Sequence, residues 1–365
     1  MPLYIRSVAT AVPEVGIDQA DAAEIARALG CPLPDQQRLL PALYRRAGVR
    51  RRHSVILDSA EGALQLRQQF YPPAKNADDR GPTTAARMER YEADAGKLAA
   101  AAARRALANA GVAADEVAHL LTVSCSGCCA PGFDVTLVRD LPLLSGVTRT
   151  HLGFMGCHGA LNALRVAQAF AVSEPESYTL ICCVELCSLH HQYGWDPDRV
   201  VANALFADGA AAIVCGGRPG DSRDAPFVEH SGSTIVPETL DAMGWRIGDH
   251  GFEMTLSPRV PELIHRHLRP WLDGWLRRSG IALDQVGSWA IHPGGPRILS
   301  ACAEALELDR EHVADSLAVL AEFGNMSSPT VLFILDRLLR RNAASPCVML
   351  GFGPGLTIEA ALVRW

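Results

Sequence analysis

Lysine is almost absent from this chain. Lys75 and Lys97 are the only two, and every other cation among the 34 basic residues is an arginine. The scarcity leaves few amines for Schiff-base chemistry and rules out a polybasic lysine patch. An excess of positive charge is missing as well. The formal net charge is −6, so the chain as a whole has no electrostatic attraction for nucleic acid or an anionic membrane surface. No apolar run is long enough to span a bilayer, and the opening MPLYIRSVATAVPE has no apolar core of signal-peptide length. The expectation is a cytoplasmic protein with reduced thiols. Eleven cysteines are present, many inside apolar runs such as YTLICCVEL (178–186), where a thiol is a small hydrophobe. Cys125-x-x-Cys128-Cys129 lacks a second C-x-x-C or H-x-x-x-H at finger spacing, so no metal site is expected. The 365 residues, 48% hydrophobic and 20% charged, are enough for one large or two medium globular units and do not suit a disordered or collagen-like chain.

Along the chain, helical and strand patterns alternate twice. Helical spacing runs over residues 19–46, 93–110 and 160–172. Buried-strand runs fall at 119–127, 178–186 and 209–217, and residues 72–83 form a polar loop. The second half echoes this order, with helices at 261–279, 296–308 and 327–341 and strands at 286–293, 347–353 and 356–365. Continuous apolar strands indicate sheets covered on both faces. The sequence therefore predicts two similar α/β halves, residues 1–217 and 218–365, joined where GGRPGDSRDAP (216–226) reads as a linker.

Three short segments each set a polar residue among glycines. In GFMGCHGALNAL (153–164), Cys157 stands at the start of a predicted helix, where the helix dipole and free N–H groups favour a thiolate nucleophile. In AIHPGGPRIL (290–299), His292 ends a buried strand, the end at which α/β folds place their sites. In FGNMSSPT (323–330), Asn325 precedes a helix with Ser327 or Ser328 near its N-cap. Taken singly, each is more often a structural residue. Together they suit a carbon–carbon bond-forming site: a thiolate that accepts an acyl group, and His and Asn donors that hold negative charge on a thioester oxygen.

GC-x-G-A, HPGGP, GNMSS and GFGPGLTIE (351–359), with ALFADGAAAIV (204–214), occur in family order over most of the chain. In these segments the sequence resembles the type III polyketide synthases, the chalcone synthase-like enzymes. The resemblance implies a thiolase-like αβαβα five-layer sandwich built from two similar halves and assembled as a homodimer. It implies Cys157, His292 and Asn325 as the catalytic triad, acyl-CoA and malonyl-CoA as substrates, and no cofactor beyond these coenzyme A thioesters. It also places CoA-binding cations in the run Arg45, Arg46, Arg50, Arg51 and Arg52, with Arg297 a second candidate; arginine serves a phosphate as well as lysine does.

Phe206 aligns with one aromatic gatekeeper between CoA tunnel and cavity, and Met254 takes the position of the other. Trp245 occupies a position that is usually small. Cys125, Ser126, Cys187, His190 and Ser327 are expected around the pocket, and Ala130 replaces a methionine that reaches into the partner's cavity. His158, beside the nucleophile, is unusual and has no assigned role. The departures are similar to bacterial alkylpyrone and alkylresorcinol synthases, which implies a fatty or medium-chain acyl starter. Cysteines at pocket positions also resemble tetrahydroxynaphthalene synthases, which use malonyl-CoA alone. A ketoacyl-carrier-protein synthase of the fatty-acid initiation type shares Cys, His and Asn but lacks GFGPGLTIE. A thiolase would need a second catalytic cysteine, and Cys347 lies on a predicted buried strand. A non-catalytic CoA-binding scaffold is the remaining alternative.

Overall fold

A computed structural model describes residues 2–30, 33–218 and 225–365. The first strands and helices are β1 (Leu3–Ala11), β2 (Gly16–Asp18), α1 (Gln19–Gly30), α2 (Pro34–Arg46), β3 (Arg51–His53), α3 (Thr84–Ala110), β4 (Val117–Ser124) and α4 (Phe133–Asp140). Next come β5 (Thr148–Gly153), α5 (Gly159–Ser173), β6 (Tyr178–Leu186), α6 (Pro197–Leu205), β7 (Asp208–Gly216), β8 (Phe227–Ile235), β9 (Met243–Gly248) and β10 (Gly251–Leu256). The chain ends with α7 (Val260–Arg278), β11 (Ser288–Ile291), α8 (Pro296–Leu306), α9 (Ala314–Phe323), α10 (Thr330–Arg340), β12 (Cys347–Gly353) and β13 (Thr357–Arg364).

Nine strands are hydrogen-bonded in the order β11-β12-β13-β8-β1-β7-β6-β4-β5. The pairing repeats. β1–β7 and β7–β6 are antiparallel and β6–β4 is parallel; β8–β13 and β13–β12 are antiparallel and β12–β11 is parallel. Among the described residues the two sets join only at Leu3↔Val228 and Tyr4↔Phe227. Sequence-distant strands that pair in the same senses in the same order are the physical form of two similar halves.

Side-chain alternation builds the layers. On β6, Ile181 and Cys183 enter a central core with Leu161 and Leu164 of α5 and Leu332 and Leu335 of α10, while Leu180, Cys182 and Val184 pack under α3 and α4. On β12, Cys347 and Met349 join the same central core; Val348, Leu350 and Phe352 pack under α7 and α8. The result is helix, sheet, helix, sheet, helix. Strands buried on both faces have no polar side to show, which is why they read as continuous apolar runs.

The structure differs from the expected elements in places. Residues 19–46 form two helices with residues 31–32 outside the described part, and residues 219–224 of the expected linker also lie outside it. α3 begins nine residues before the expected start, where the Thr83 hydroxyl caps it by accepting from Ala86 N–H at 3.3 Å. β8 was not legible, because FVEHSGSTI mixes polar residues through the strand. No helix among the described residues is long and apolar enough to cross a membrane.

Candidate active site

The turn Gly156–His158 delivers Cys157 to the N-terminus of α5. Gly156 has φ +72, and a Cβ there would lie 2.7 Å from Pro354 Cδ, so the turn against the Gly353–Pro354 segment needs a glycine. His292 follows β11, and its N–H donates to Leu350 O at 2.8 Å. Asn325 lies between α9 and α10. Its N–H donates to Leu205 O and its carbonyl accepts from Ala207 N–H, both at 2.9 Å, which sets it beside Phe206. Asn325 Oδ1 accepts from Ser327 N–H at 2.8 Å, leaving the amide N–H2 for the cavity.

These three side chains line one cavity of about 560 Å³, counted with its open mouth, together with Leu205, Phe206, Met254 and Phe352. All three are buried. Both ring nitrogens of His292 lack a hydrogen-bond partner in the structure. A buried imidazole with two unpartnered nitrogens is an exception among buried polar groups. Burial lowers His292 to about 3, with His158 acting in the same direction, and pushes the Cys157 thiol up to about 12, opposed by Ser327 and Asn325. The sequence predicts a thiol favoured as thiolate by the helix terminus; burial acts in the opposite direction. Burial thus acts against the charged form of both Cys157 and His292.

Two further cavities share walls with the first. One of about 370 Å³ is lined by Cys125, Cys157, Cys187, Trp245, Ser327 and Pro354, among others. The other, about 930 Å³, is bordered by Ile17, Ile25, Leu29, Ile56, Leu57 and Tyr71, and meets the first two at Cys187, Phe206, Trp245 and Met254. Phe206 and Met254 border all three cavities. Trp245 pairs with Met254 across β9–β10, and its indole N–H donates to Cys125 O at 2.7 Å. It stands against Phe206, Phe252 and His190 with ring centroids 6.3, 5.9 and 5.4 Å away. The indole is thus a fixed part of the wall between the 370 Å³ chamber and the large one.

Behind Cys157 lies a buried carboxylate that no sequence motif marks. Glu185 accepts from Cys125 N–H and Ser126 N–H at 2.9 Å, from Ser126 Oγ at 2.6 Å and from Ser328 Oγ at 2.5 Å, with Cys125 Sγ at 3.3 Å. Burial pushes its carboxyl up, and these donors oppose the shift. The visible signal was an acid inside the apolar run LICCVEL.

Three of the expected residues are held by specific neighbours. Ser126 borders none of these cavities; its hydroxyl is spent on Glu185 and on Leu186 N–H. His190 borders the large cavity, but its ring is committed: Phe252 N–H donates to Nδ1 at 2.9 Å and Nε2–H donates to Ser126 O at 2.7 Å. Arg52 is buried, donates to the carbonyls of Asn203 and Phe206, and stands over the Tyr44 ring, so it is not available to a phosphate. Arg45, Arg46, Arg50 and Arg297 are exposed. The loop between Arg46 and Arg50 packs on the start of α8, where a Cβ on Gly48 would lie 2.9 Å from Pro296 Cγ. That contact brings the arginine run near Arg297, beside Gly294 and Ile298 of the catalytic cavity. Among the described residues, no group of three or more His, Cys, Asp or Glu is arranged to hold a metal ion.

Family models for the chalcone and stilbene synthases match residues 3–219 with the N-terminal domain and residues 228–365 with the C-terminal domain. The chain belongs to the chalcone and stilbene synthase family. It is 31% identical over 365 residues to the alpha-pyrone synthesis polyketide synthase-like Pks18 of Mycobacterium tuberculosis, covering 98% of this chain and 90% of that one. It is 34% identical over 367 residues to the 1,3,6,8-tetrahydroxynaphthalene synthase of Streptomyces peucetius, covering 99% and 93%. The crystal structure of PKS-I from the brown alga Ectocarpus siliculosus superposes with a TM-score of 0.93 at 30% identity, over 100% of this chain and 98% of that one. The five layers are the thiolase-like αβαβα sandwich, and the chain is a type III polyketide synthase, an acyl-transferring enzyme.

Proposed function

We propose that this type III polyketide synthase extends a fatty or medium-chain acyl-CoA with malonyl-CoA and cyclises the product to an alkylpyrone or alkylresorcinol. Cys157 is the nucleophile, in the half formed by residues 1–217; His292 and Asn325 come from the half formed by residues 218–365. His292 takes the Cys157 thiol proton, the thiolate attacks the starter thioester, and CoA leaves with that proton. Malonyl-CoA then loses CO2, and the electron pair left behind becomes an enolate. Donors on His292 and Asn325 hold its oxygen. The enolate carbon attacks the acyl-cysteine and expels the thiolate, which takes back the lengthened chain from CoA. Decarboxylation drives the bond formation. Arg45, Arg46, Arg50 and Arg297 bind the CoA phosphates, and the enzyme works as a homodimer in the cytoplasm.

The observation that carries the choice of starter is the large apolar-walled cavity across Phe206, Trp245 and Met254 from Cys157. It offers an acyl tail a place away from water. The names of the two relatives above support either a pyrone product or tetrahydroxynaphthalene, so the test is direct. Malonyl-CoA is incubated with and without hexanoyl- to palmitoyl-CoA, and products are read by mass spectrometry. Alkylpyrones or alkylresorcinols that form only with a starter are the expected result; a naphthol formed from malonyl-CoA alone would sink the alkyl reading. Trp245→Ala, which removes the fixed indole from the partition, is expected to raise kcat/KM for palmitoyl-CoA over hexanoyl-CoA by about tenfold. An unchanged ratio would separate the large cavity from starter binding.

A further inference from the structure

Arg45, Arg46, Arg50 and Arg51 are exposed, whereas Arg52, on β3, is buried, and the mechanism above does not use it. Its side chain goes to the end of α6. A helix that stops at Leu205 leaves the carbonyls of its last turn without partners inside the helix. Three different elements meet them. Asn203 O accepts from Arg52 Nη1 at 2.6 Å, Ala204 O from Gln19 Nε2 of α1 at 2.8 Å, and Leu205 O from Asn325 N–H at 2.9 Å. Arg52 Nη1 donates again to Phe206 O at 2.9 Å, and Ala207 N–H donates to Asn325 O at 2.9 Å. The guanidinium and the Asn325 backbone therefore alternate along one stretch of main chain: Arg52 holds Asn203 and Phe206, and Asn325 holds Leu205 and Ala207. The segments also pack together. Gly324 has φ +75, and a Cβ there would lie 2.9 Å from Ala207 Cβ, 3.0 Å from Leu205 O and 3.6 Å from Arg52 Cβ. The chain entering β3 is tied to α9 as well, through Arg50 N–H on Ala321 O at 2.8 Å.

We propose that Arg52 is a positioning residue for Asn325: by holding the carbonyls on both sides of the Asn325 bridge, it sets where the Asn325 amide stands in the catalytic cavity. This rests on the role given to Asn325 above. Asn325 makes two backbone hydrogen bonds to this stretch, and its Oδ1 is turned back onto Ser327 N–H. The direction of its amide N–H2 therefore follows the main chain at 205–207. Removing the guanidinium leaves two carbonyls without their donor, a cost the stretch reduces by shifting toward other donors. The shift passes to Asn325 through Leu205 O and Ala207 N–H. The Tyr44 ring, 5.5 Å from Arg52 Cζ, helps to fix the guanidinium. A lysine ammonium can donate to the same carbonyls but lacks the rigid planar fork. Cys157 and His292 are carried by other segments, the turn before α5 and the loop after β11. Acyl loading onto Cys157 is therefore spared.

The test separates two half-reactions. Loading is the rate at which hexanoyl-CoA alone acylates Cys157, read by mass spectrometry of the intact protein. Decarboxylation is the release of CO2 from malonyl-CoA alone. Both are measured in wild type, Arg52→Met, Arg52→Lys and Asn325→Ala, with circular dichroism to establish that each is folded. Arg52→Met is expected to slow CO2 release at least about tenfold and to leave loading within about twofold, because a displaced donor no longer meets the enolate oxygen. Arg52→Lys, which keeps a donor, is expected to recover part of the loss. Equal losses in both half-reactions mark a purely structural role and overturn the proposal, as does CO2 release at the wild-type rate in Arg52→Met. If Arg52→Met does not fold, Arg52→Lys decides alone: a loss confined to CO2 release upholds the proposal, and any other result overturns it. If Asn325→Ala releases CO2 at the wild-type rate, the role of Asn325 falls, and this proposal with it. A loss in Asn325→Ala without one in the arginine variants overturns only the role of Arg52.

Discussion

Cys157→Ala is expected to lower polyketide formation by at least about a thousandfold. In the proposed mechanism every condensation passes through an acyl group carried on this sulfur, and alanine offers no atom to carry it. The structure provides no substitute at the same place. Cys125 borders the neighbouring cavity, but its thiol is directed at Glu185 and lies 3.3 Å from Ser327 Oγ, and burial beside that carboxylate pushes it well above the ordinary thiol range. Cys187 also borders that cavity, and burial pushes it in the same direction. The measurement is product formation from malonyl-CoA with an acyl-CoA starter, together with a mass search for the acyl-enzyme on the peptide containing residue 157. Wild-type product levels in the variant would remove Cys157 as the acyl carrier. Because the sulfur replaced is small and buried at a helix start, the fold is expected to survive, and the loss is one of chemistry.

The second large effect is on stability. Glu185→Leu is expected to cost ~3–5 kcal/mol. Leucine removes the acceptor but leaves Cys125 N–H, Ser126 N–H, Ser126 Oγ and Ser328 Oγ buried without it. Each group was desolvated on folding on the strength of that carboxylate, so the penalty is the sum of several orphaned donors, offset in part by added apolar contact. Glu185→Gln keeps the size and one carbonyl acceptor and is expected to recover part of the loss. Urea or thermal denaturation of the three proteins reads the difference, and a Leu variant as stable as wild type would show that the network contributes nothing net. The site depends on it indirectly: Cys125, Ser126 and Ser328 are fastened to Glu185, and Ser327, which borders the cavity of Cys157, lies between Asn325 and Ser328.

The legible part of the site consisted of residues whose backbone surroundings are written locally. Gly156 beside Cys157, the Pro-Gly-Gly-Pro turn after His292 and the glycine before Asn325 are all short-range signals. They mark places where the backbone turns or comes close to another segment. Residues set by distant partners were not legible. Arg52 stands in a run of exposed arginines and is indistinguishable from them until Asn203 and Phe206 present their carbonyls to it. Ser126 and His190 were placed in the pocket region by alignment, and each side chain proves to be committed to neighbours. The burial that opposes the Cys157 thiolate has the same origin. A helix terminus can be read in sequence, whereas the depth of burial around it cannot.

The sequence by itself determined the alternation of helices and strands, the burial of the strands on both faces, the repetition of one half in the other and the three segments that carry Cys157, His292 and Asn325. All of these follow from periodicity and from short-range backbone preferences. Only the tertiary structure decided that the three side chains share one cavity, that Phe206 and Met254 divide it from a larger apolar chamber, that Glu185 ties the wall together and that His158 faces Glu359 through Asn162. Those arrangements join residues as far apart as 125 and 245 or 162 and 359. Distance, burial and charge between such residues are set by how the sheets and helices pack, and no local pattern records them.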